Sequence, residues 1–472
     1  MSELSAKIHD LYSQRLYLPL SNLQRVARPS RRAVALAFQA GMRFRQQTAR
    51  WSEDKKRHWM LRRLRSVVRY ANRHTDYYRN LFAKIGFDPD IDFSFDDFAS
   101  LPTLEREDIE PAGKTLISNA VSPETLKRDS TGGSTGAPTV VWLGPEEQGW
   151  RESSTESFMR RIGAPAGTRT SFLWGHHLDP VKSDSPRERF YAFSTNAQWF
   201  DCFRLSQELM DRYHDELQKL RPACIIAYAT ALGRFAEHLL ERGYEAHYPT
   251  HCAVTGAEKL SSTYREAAEA AFKRPIHERY GSRDVGGIAF QVDPRRSLDY
   301  EIDWSNLFVE PETSDPDSPI LITKLHADGM PMIRYRIGDI GRFRQDARSG
   351  HPTFLLREVL GREADCIWTP NGHRIQGEFF PHMLKDYPIR EYMLHQHEDY
   401  TIELKLLPKP EFNELFGKRI VDTIRGSLPN LEVKLVLVDE IPRTKSNKLR
   451  PVVSEVNTSV TKPQGDLHHE IY

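Results

Sequence analysis

The run Ser130-Thr131-Gly132-Gly133-Ser134-Thr135-Gly136-Ala137-Pro138 places three glycines and four hydroxyl residues within seven positions. Glycines let successive backbone N–H groups turn inward, and a nest of such donors with hydroxyls beside it suits a polyphosphate. Thr131, Gly132, Gly133, Ser134, Thr135 and Gly136 are therefore candidate phosphate-binding residues. A Ser/Gly-rich linker uses the same letters. The common ATPase loop is excluded, because no Gly-Lys-Ser/Thr follows at the required spacing. The run leads into Pro138-Thr139-Val140-Val141-Trp142, which reads as a strand.

Downstream, an ordered set of segments extends the pattern. Val254-Thr255-Gly256-Ala257-Glu258-Lys259-Leu260 comes first, then Tyr280-Gly281-Ser282-Arg283-Asp284-Val285-Gly286-Gly287. Tyr335-Arg336-Ile337-Gly338-Asp339-Ile340-Gly341-Arg342 and Gly361-Arg362-Glu363-Ala364-Asp365 follow, and Pro442-Arg443-Thr444-Lys445-Ser446-Asn447-Lys448-Leu449-Arg450 closes the set. In this order the set resembles the adenylate-forming superfamily of acyl-CoA synthetases, luciferases and carrier-loading adenylation domains. Within it, the chain is most similar to the phenylacetate–CoA ligase family and its capsular-polysaccharide-associated relatives. Leu61-Arg62-Arg63-Leu64-Arg65-Ser66-Val67-Val68-Arg69-Tyr70, Tyr77-Tyr78-Arg79 and Leu101-Pro102-Thr103-Leu104 carry the same likeness, which spans roughly residues 58 to 456.

The resemblance implies an ATP- and Mg²⁺-dependent enzyme that joins AMP to a small carboxylic acid and releases pyrophosphate. A second step then passes the acyl group to a thiol, often coenzyme A. An amine or a carrier-protein thiol is an alternative acceptor, and a nucleotide-binding relative without activity is the alternative of another class. The first step brings two anions together, so positive charge and oriented donors should dominate catalysis. By resemblance, Lys448 is the catalytic cation, with Lys445 close by as an alternative. The family's Ser-Gly-Lys turn here reads Ser446-Asn447-Lys448, and Asn tolerates positive φ next best after Gly. Asp284 is the implied Mg²⁺ ligand, since Mg²⁺ takes a carboxylate or two with phosphate oxygens and water. The wider superfamily usually has Thr-Glu where this chain has Arg283-Asp284, so the shorter Asp is expected to reach the metal only through water. Arg283 is positioned to neutralise phosphate. Gly256, Ala257, Glu258, Tyr280 and Gly281 would line the adenine and acyl pocket. Asp339 would accept from the ribose hydroxyls, and Arg362 would grip the nucleotide. The hinge Asp of the family falls at Ala364, with Asp365 one place later.

These residues need a large scaffold. The 472-residue chain suggests about three domains by length alone and can bury large cores. Its hydrophobic share of 39%, charged share of 28% and net charge of +1 read as soluble and globular, with no field that draws it to nucleic acid. The four cysteines, Cys202, Cys224, Cys252 and Cys366, are scattered without a C-x-x-C pair, as in a reducing compartment. His251-Cys252 offers half a zinc site with no second pair in view; the other reading is core packing. No stretch reaches 18 apolar residues. Ser30-Arg31-Arg32 with its apolar follow-on is too short and too late for a twin-arginine signal. A cytoplasmic protein is expected.

Helical patterns alternating with β-rich runs argue for a layered α/β architecture. Thr170–Trp174, Ala223–Tyr228 and Ile320–Thr323 read as strands, and Glu208–Leu220 and Tyr264–Phe272 as helices. The expected organisation begins with a basic helical extension over 1–57. Its Arg25, Arg28, Arg31, Arg32, Arg43, Arg45 and Arg50 fit either packing on the main body or peripheral contact with anionic lipid or a partner. A large ATP- and acyl-binding α/β domain over 58–360 follows. A small mobile α+β lid occupies 361–457, with strands over Tyr400–Leu406 and Leu431–Leu437 flanking a helix over Pro410–Leu428. A disordered tail is expected over 458–472. Trp174, Tyr228 and Trp199 are candidates to line an aryl pocket, or belong to the core.

Overall fold

In the computed structural model, the described residues are 29–130, 139–174, 195–202, 205–362, 366–370, 374–376, 380, 384, 387–427, 431–443 and 449–456. The chain divides into two compact units. One comprises Met1–Ile337 and Gly341–Val359, the other Gly338–Ile340 and Leu360–Tyr472.

The first unit opens with three helices, α1 (Pro29–Thr48), α2 (Glu53–His74) and α3 (Asp76–Ile85). Ser52 starts α2 by accepting from Lys55 N, with Glu53 and Asp54 in the first turn facing the positive end of the helix dipole. Thr75 then serves two helices. Its N–H closes α2 on Ala71 O, and its hydroxyl accepts from Tyr78 N to open α3. Met60, Leu64, Val67, Val68 and Ala71 form the buried stripe of α2. The antiparallel strands β1 (Lys127–Ser130) and β2 (Val140–Leu143) pair Ser130 with Val140 and so bracket the glycine-rich run. Helix α4 (Pro145–Arg161) follows directly, with Pro145 at its first position.

The layered core is built next. The elements are β3 (Thr170–Leu173), β4 (Ala197–Phe200), α5 (Gln207–Leu220), β5 (Cys224–Tyr228), α6 (Ala229–Glu241), β6 (Cys252–Gly256), α7 (Ser262–Phe272), β7 (Ile276–Ser282), β8 (Gly286–Phe290) and β9 (Tyr300–Ile302). Five strands, β4-β3-β5-β6-β7, are parallel, and β8 and β9 extend the sheet antiparallel. Both faces are covered, and strand residues alternate between the two cores. Leu173, Ile225, Ala227, Ala253 and Ile276 pack with the α5–α7 side. Cys224, Ile226, Cys252 and Val254 pack with Phe158, Met159 and Ile162 on the α4 side. The half zinc site resolves into packing: Cys252 Sγ lies 3.8 Å from Cys224 Sγ, and the His251 ring bonds Ile162 O at 2.9 Å.

Helix α1 lies along α4, where glycines let the backbones approach. A Cβ on Gly149 would sit 2.5 Å from Val34 O, and one on Gly41 would sit 2.2 Å from Ser153 Oγ. Arg45 fastens the contact. It donates to Ser153 Oγ and to Asp303 Oδ2, each at 2.7 Å. Two of the seven arginines noted above, Arg25 and Arg28, lie outside the described residues, as does the rest of the chain from 1 to 28.

A second sheet in the order β10-β11-β12-β14 is formed by β10 (Leu307–Pro311), β11 (Asp317–Lys324), β12 (Tyr335–Arg342) and β14 (Glu358–Arg362), while β13 (Leu355–Leu356) joins β9. The chain passes into the second unit along β12 and β14. That unit holds β15 (Cys366–Trp368) paired with β16 (Arg374–Gln376), and a four-stranded sheet in the order β19-β18-β17-β20. Its strands are β17 (Ile389–Gln396), β18 (Ile402–Pro408), β19 (Val433–Leu437) and β20 (Val452–Ser454). Ile402, Leu404 and Leu406 point inward at period two against Ile420 and Ile424 of α8 (Glu414–Ser427). Helix α8 begins later than the expected Pro410, because Asn413 Oδ1 caps it by accepting from Phe416 N at 3.1 Å.

Candidate active site

Parallel strands place their carboxyl ends side by side, and that edge is where open α/β sheets bind ligands. Here Tyr228 stands opposite Gly256, and Thr255 opposite Glu278. Gly256, Ala257 and Tyr280 are thereby brought to one edge of the sheet. Ala257 leaves β6 with φ +68, which turns the chain sharply. Glu258, expected at the adenine pocket, uses its Oε2 to accept from Thr230 N at 3.1 Å in the first turn of α6. Gly281 must be glycine, since a Cβ there would meet Gly286 O at 2.5 Å across the β7–β8 pair.

The turn between β7 and β8 carries Arg283 and Asp284. Arg283 is exposed, and its Nη1 donates to Ser130 O at 3.0 Å. A residue 153 positions away is thus tied to the last strand residue before the glycine-rich run. Asp284 is buried at 3% exposure, and its Oδ2 accepts from Tyr335 OH at 3.1 Å. Its Oδ1 has no hydrogen-bond partner among the described residues. Burial raises the Asp284 pKa, while Tyr335, Arg106, Lys324 and Arg151 pull it back.

Reading the sequence missed the residues that hold this turn. Arg151 of α4 donates to the carbonyls of Arg283, at 2.8 Å, and Asp284, and to Glu147 Oε1 at 2.5 Å. Lys324, closing β11 at 2% exposure, lies 3.0 Å from the same Glu147 oxygen. Burial depresses the Lys324 pKa and Glu147 opposes that shift. The sequence offers only a weak signal for them, the i,i+4 spacing of Glu147 and Arg151, which ordinary surface pairs share.

In the second unit Asp339 and Arg362 come within 4.0 Å, after Gly338 turns at φ +81. Asp339 is half-buried and Arg362 exposed. Arg443 clamps both oxygens of Glu391 at 2.7 and 2.6 Å and bridges to Leu449. These contacts hold the two ends of the segment that carries the expected lysine. Lys448 and Lys445 themselves, Thr131 to Gly136, and the hinge candidates Ala364 and Asp365 lie outside the described residues.

The aromatic candidates separate into two stacks. Trp174 stacks on Tyr228 with centroids 4.1 Å apart, and Trp199 stacks on Phe172 at 4.1 Å. The second stack borders a cavity of about 600 Å³ lined also by Phe38, Met42, Met159 and Ile226. Among the described residues, no helix is long and apolar enough to cross a membrane.

Comparison with known proteins agrees with this geometry. No family model matches the chain. Protein CapK of Staphylococcus aureus is 20% identical over 308 residues, 65% of this chain and 67% of that protein. A phenylacetate-coenzyme A ligase of Aromatoleum evansii is 24% identical over 333 residues, 67% and 72% of the two chains. Among solved structures, a 2-hydroxyisobutyryl-CoA ligase in its postadenylation state with 2-HIB-AMP matches with a TM-score of 0.66 at 17% identity, covering 86% of this chain and 90% of that one. The mixed α/β layers and the ordered motifs therefore have one explanation: the chain is a relative of the phenylacetate–coenzyme A ligases and CapK, with the fold of the adenylate-forming CoA ligases.

Proposed function

We propose that the chain activates a small carboxylic acid with ATP, releases pyrophosphate from an acyl-AMP, and transfers the acyl group to the thiol of coenzyme A. The observation that carries this reading is the Arg283–Ser130 bond at 3.0 Å, which joins the glycine-rich run to the Tyr280–Asp284 turn. Relatives named as phenylacetate-coenzyme A ligases support the same chemistry and the choice of acceptor.

The residues divide the work. Backbone N–H groups and hydroxyls of Thr131–Gly136 bind the phosphates. Arg283, exposed beside that run, adds a charge-assisted contact to them. Gly256, Ala257, Tyr280 and Gly281 hold the base and acyl group, and Asp339 with Arg362 takes the ribose. Lys448 offsets the repulsion between carboxylate and α-phosphate with an ammonium on a long stem. The donor set also fits Mg²⁺, because Asp284 keeps a buried carboxylate oxygen with no hydrogen-bond partner among the described residues. Asp284 would hold the ion, which when bound supplies charge neutralisation to the phosphates.

Chromatography of the nucleotide product tests the reading. With ATP, a panel of carboxylic acids and coenzyme A, the products should be AMP, pyrophosphate and an acyl thioester. ADP with inorganic phosphate would overturn it in favour of an acyl-phosphate mechanism.

A further inference from the structure

One residue from each of four adjacent parallel strands forms a row at the carboxyl edge: Trp174 after β3, Tyr228 of β5, Gly256 of β6 and Arg279 of β7. The strand registers set this row, with Leu173 opposite Ala227, Tyr228 opposite Gly256, and Thr255 opposite Glu278. Strand alternation points Gly256 and Arg279 to the α4 face. Gly256 leaves the gap through which the arginine stem passes, since a Cβ there would lie 3.0 Å from both Cγ and Nε of Arg279. The guanidinium then lies over Trp174, 5.7 Å from the ring centroid.

Among the described residues that ring contact is the only partner of Arg279; no carboxylate and no hydrogen-bond acceptor meets it. Burial depresses its pKa. A desolvated guanidinium without an anion is costly, and a single aromatic face compensates only part of that cost. The other buried arginines of this unit are paired, Arg45 with Asp303 and Arg334 with Glu310. Arg279, Trp174 and Tyr228 each keep partial exposure, so a ligand can reach them.

We infer that the acid activated here carries a second anionic group, a carboxylate on a flat aromatic skeleton, which pairs with Arg279 while the skeleton lies against the Trp174–Tyr228 stack. The inference rests on the adenylation reading for the reacting carboxylate. The guanidinium fork suits a carboxylate held by two parallel bonds. A site whose largely enclosed cation meets no anion among the described residues discriminates strongly against an acid lacking the second group.

The test compares phenylacetate with 3- and 4-carboxyphenylacetate, and benzoate with isophthalate and terephthalate, in the wild type, Arg279→Met and Arg279→Lys. Three readouts are taken: pyrophosphate release, calorimetric binding of each acid and of ATP, and the melting temperature without ligand. The wild type should prefer a diacid. Arg279→Met should lower the diacid-to-monoacid ratio of kcat/KM by roughly 10²-fold, chiefly through KM, and Arg279→Lys should restore part of it. The ligand-free melting temperature of Arg279→Met should equal or exceed that of the wild type, because an apolar replacement for a buried unpaired charge is neutral or stabilising. A preference for monoacids, a ratio unmoved by Arg279→Met, or a clear fall in its melting temperature overturns the inference. So does a loss of ATP affinity with the acid ratio intact, which would assign Arg279 to the nucleotide. If no acid releases pyrophosphate, the adenylation reading is at fault and calorimetry decides the subsite. Diacid binding lost in Arg279→Met upholds it, and equal or absent binding overturns it.

Discussion

Asp339 is the residue whose role is most simply read from its neighbours. One carboxylate can accept from two ribose hydroxyls, and Arg362 within 4.0 Å places a complementary charge beside it. Asp339→Ala should weaken ATP binding by roughly 1.5–3 kcal/mol, the scale of a charge-assisted hydrogen bond. The circular dichroism spectrum should not change, because the carboxylate it removes is only half-buried and the backbone pairing of β12 does not use it. Calorimetry with ATP checks this, and unchanged affinity would reduce Asp339 to a turn-capping residue. The motif letters made Asp339, Arg362, Tyr280, Arg283 and Asp284 legible in the sequence, since each lies in a short run of unusual composition. Glu147, Arg151 and Lys324 were not legible. Arg151 reaches the Asp284 carbonyl, with Glu147 and Lys324 behind it, only after α4 and β11 fold together, and nothing local distinguishes a buried Lys324 from the polar end of a strand. Arg279 left a fainter mark, a cation at an inward position just before Tyr-Gly.

At the scale of elements, period-two and 3.6-residue patterns placed the strands and helices they singled out, among them β3, β5, β18, α5 and α7, within a few residues, because burial on one or both faces dictates those periods. What they could not supply is docking. His326, two residues past β11, shows how three elements meet. Its ring stacks on Trp150 of α4 at 3.5 Å, its Nε2 lies 3.1 Å from Ser305 O, and its Nδ1 lies 3.1 Å from Arg63 of α2 and 3.0 Å from Glu146. The neutral tautomer with Nε2–H donating to Ser305 O and Nδ1 accepting from Arg63 satisfies the Ser305 and Arg63 contacts, and Arg63 Nη2, which also donates to Glu146 Oε1 at 3.1 Å, bridges the two acceptors. Burial depresses the His326 pKa to about 4, and Arg63 adds to the shift while Glu146 opposes it. The folded state therefore binds fewer protons here than the unfolded one, whose ordinary value is about 6.5. Stability is fully present above about pH 6.5 and falls as the pH drops towards 4, by about 3 kcal/mol from this group. Burial raises the Glu146 pKa, but Arg63, 3.1 Å away, helps to hold it below its ordinary value, so its own contribution is lost in the same direction. Urea unfolding at pH 7, 5.5 and 4.5 should show the decline in the wild type and a shallower one in His326→Gln. Parallel profiles would mean that the imidazole is protonated in the fold.

At the scale of the whole molecule, the proposed site residues are shared between the two units, with the glycine-rich run and Asp284 in one and Asp339, Arg362 and Lys448 in the other. The proposed role of Lys448 is specific to one half-reaction. Its ammonium is needed while a carboxylate and an α-phosphate, both anionic, approach each other. Once the mixed anhydride exists that repulsion is gone, and the thiol attacks a neutral acyl carbon. Lys448→Ala should therefore slow pyrophosphate release by about 10²–10³-fold, the scale for one electrostatic stabiliser. The same variant should convert supplied acyl-AMP and coenzyme A to thioester at close to the wild-type rate. Lys445→Ala, three residues earlier, should leave both steps within a few fold and so separates the two cations. Arg443→Ala bears on positioning rather than charge: its clamp on Glu391 holds one end of the Lys448 segment, and losing it should lower the first step more than the second. If Lys448→Ala impairs both half-reactions equally in a folded protein, the division of labour between the steps is wrong. If it impairs neither, another cation supplies the charge.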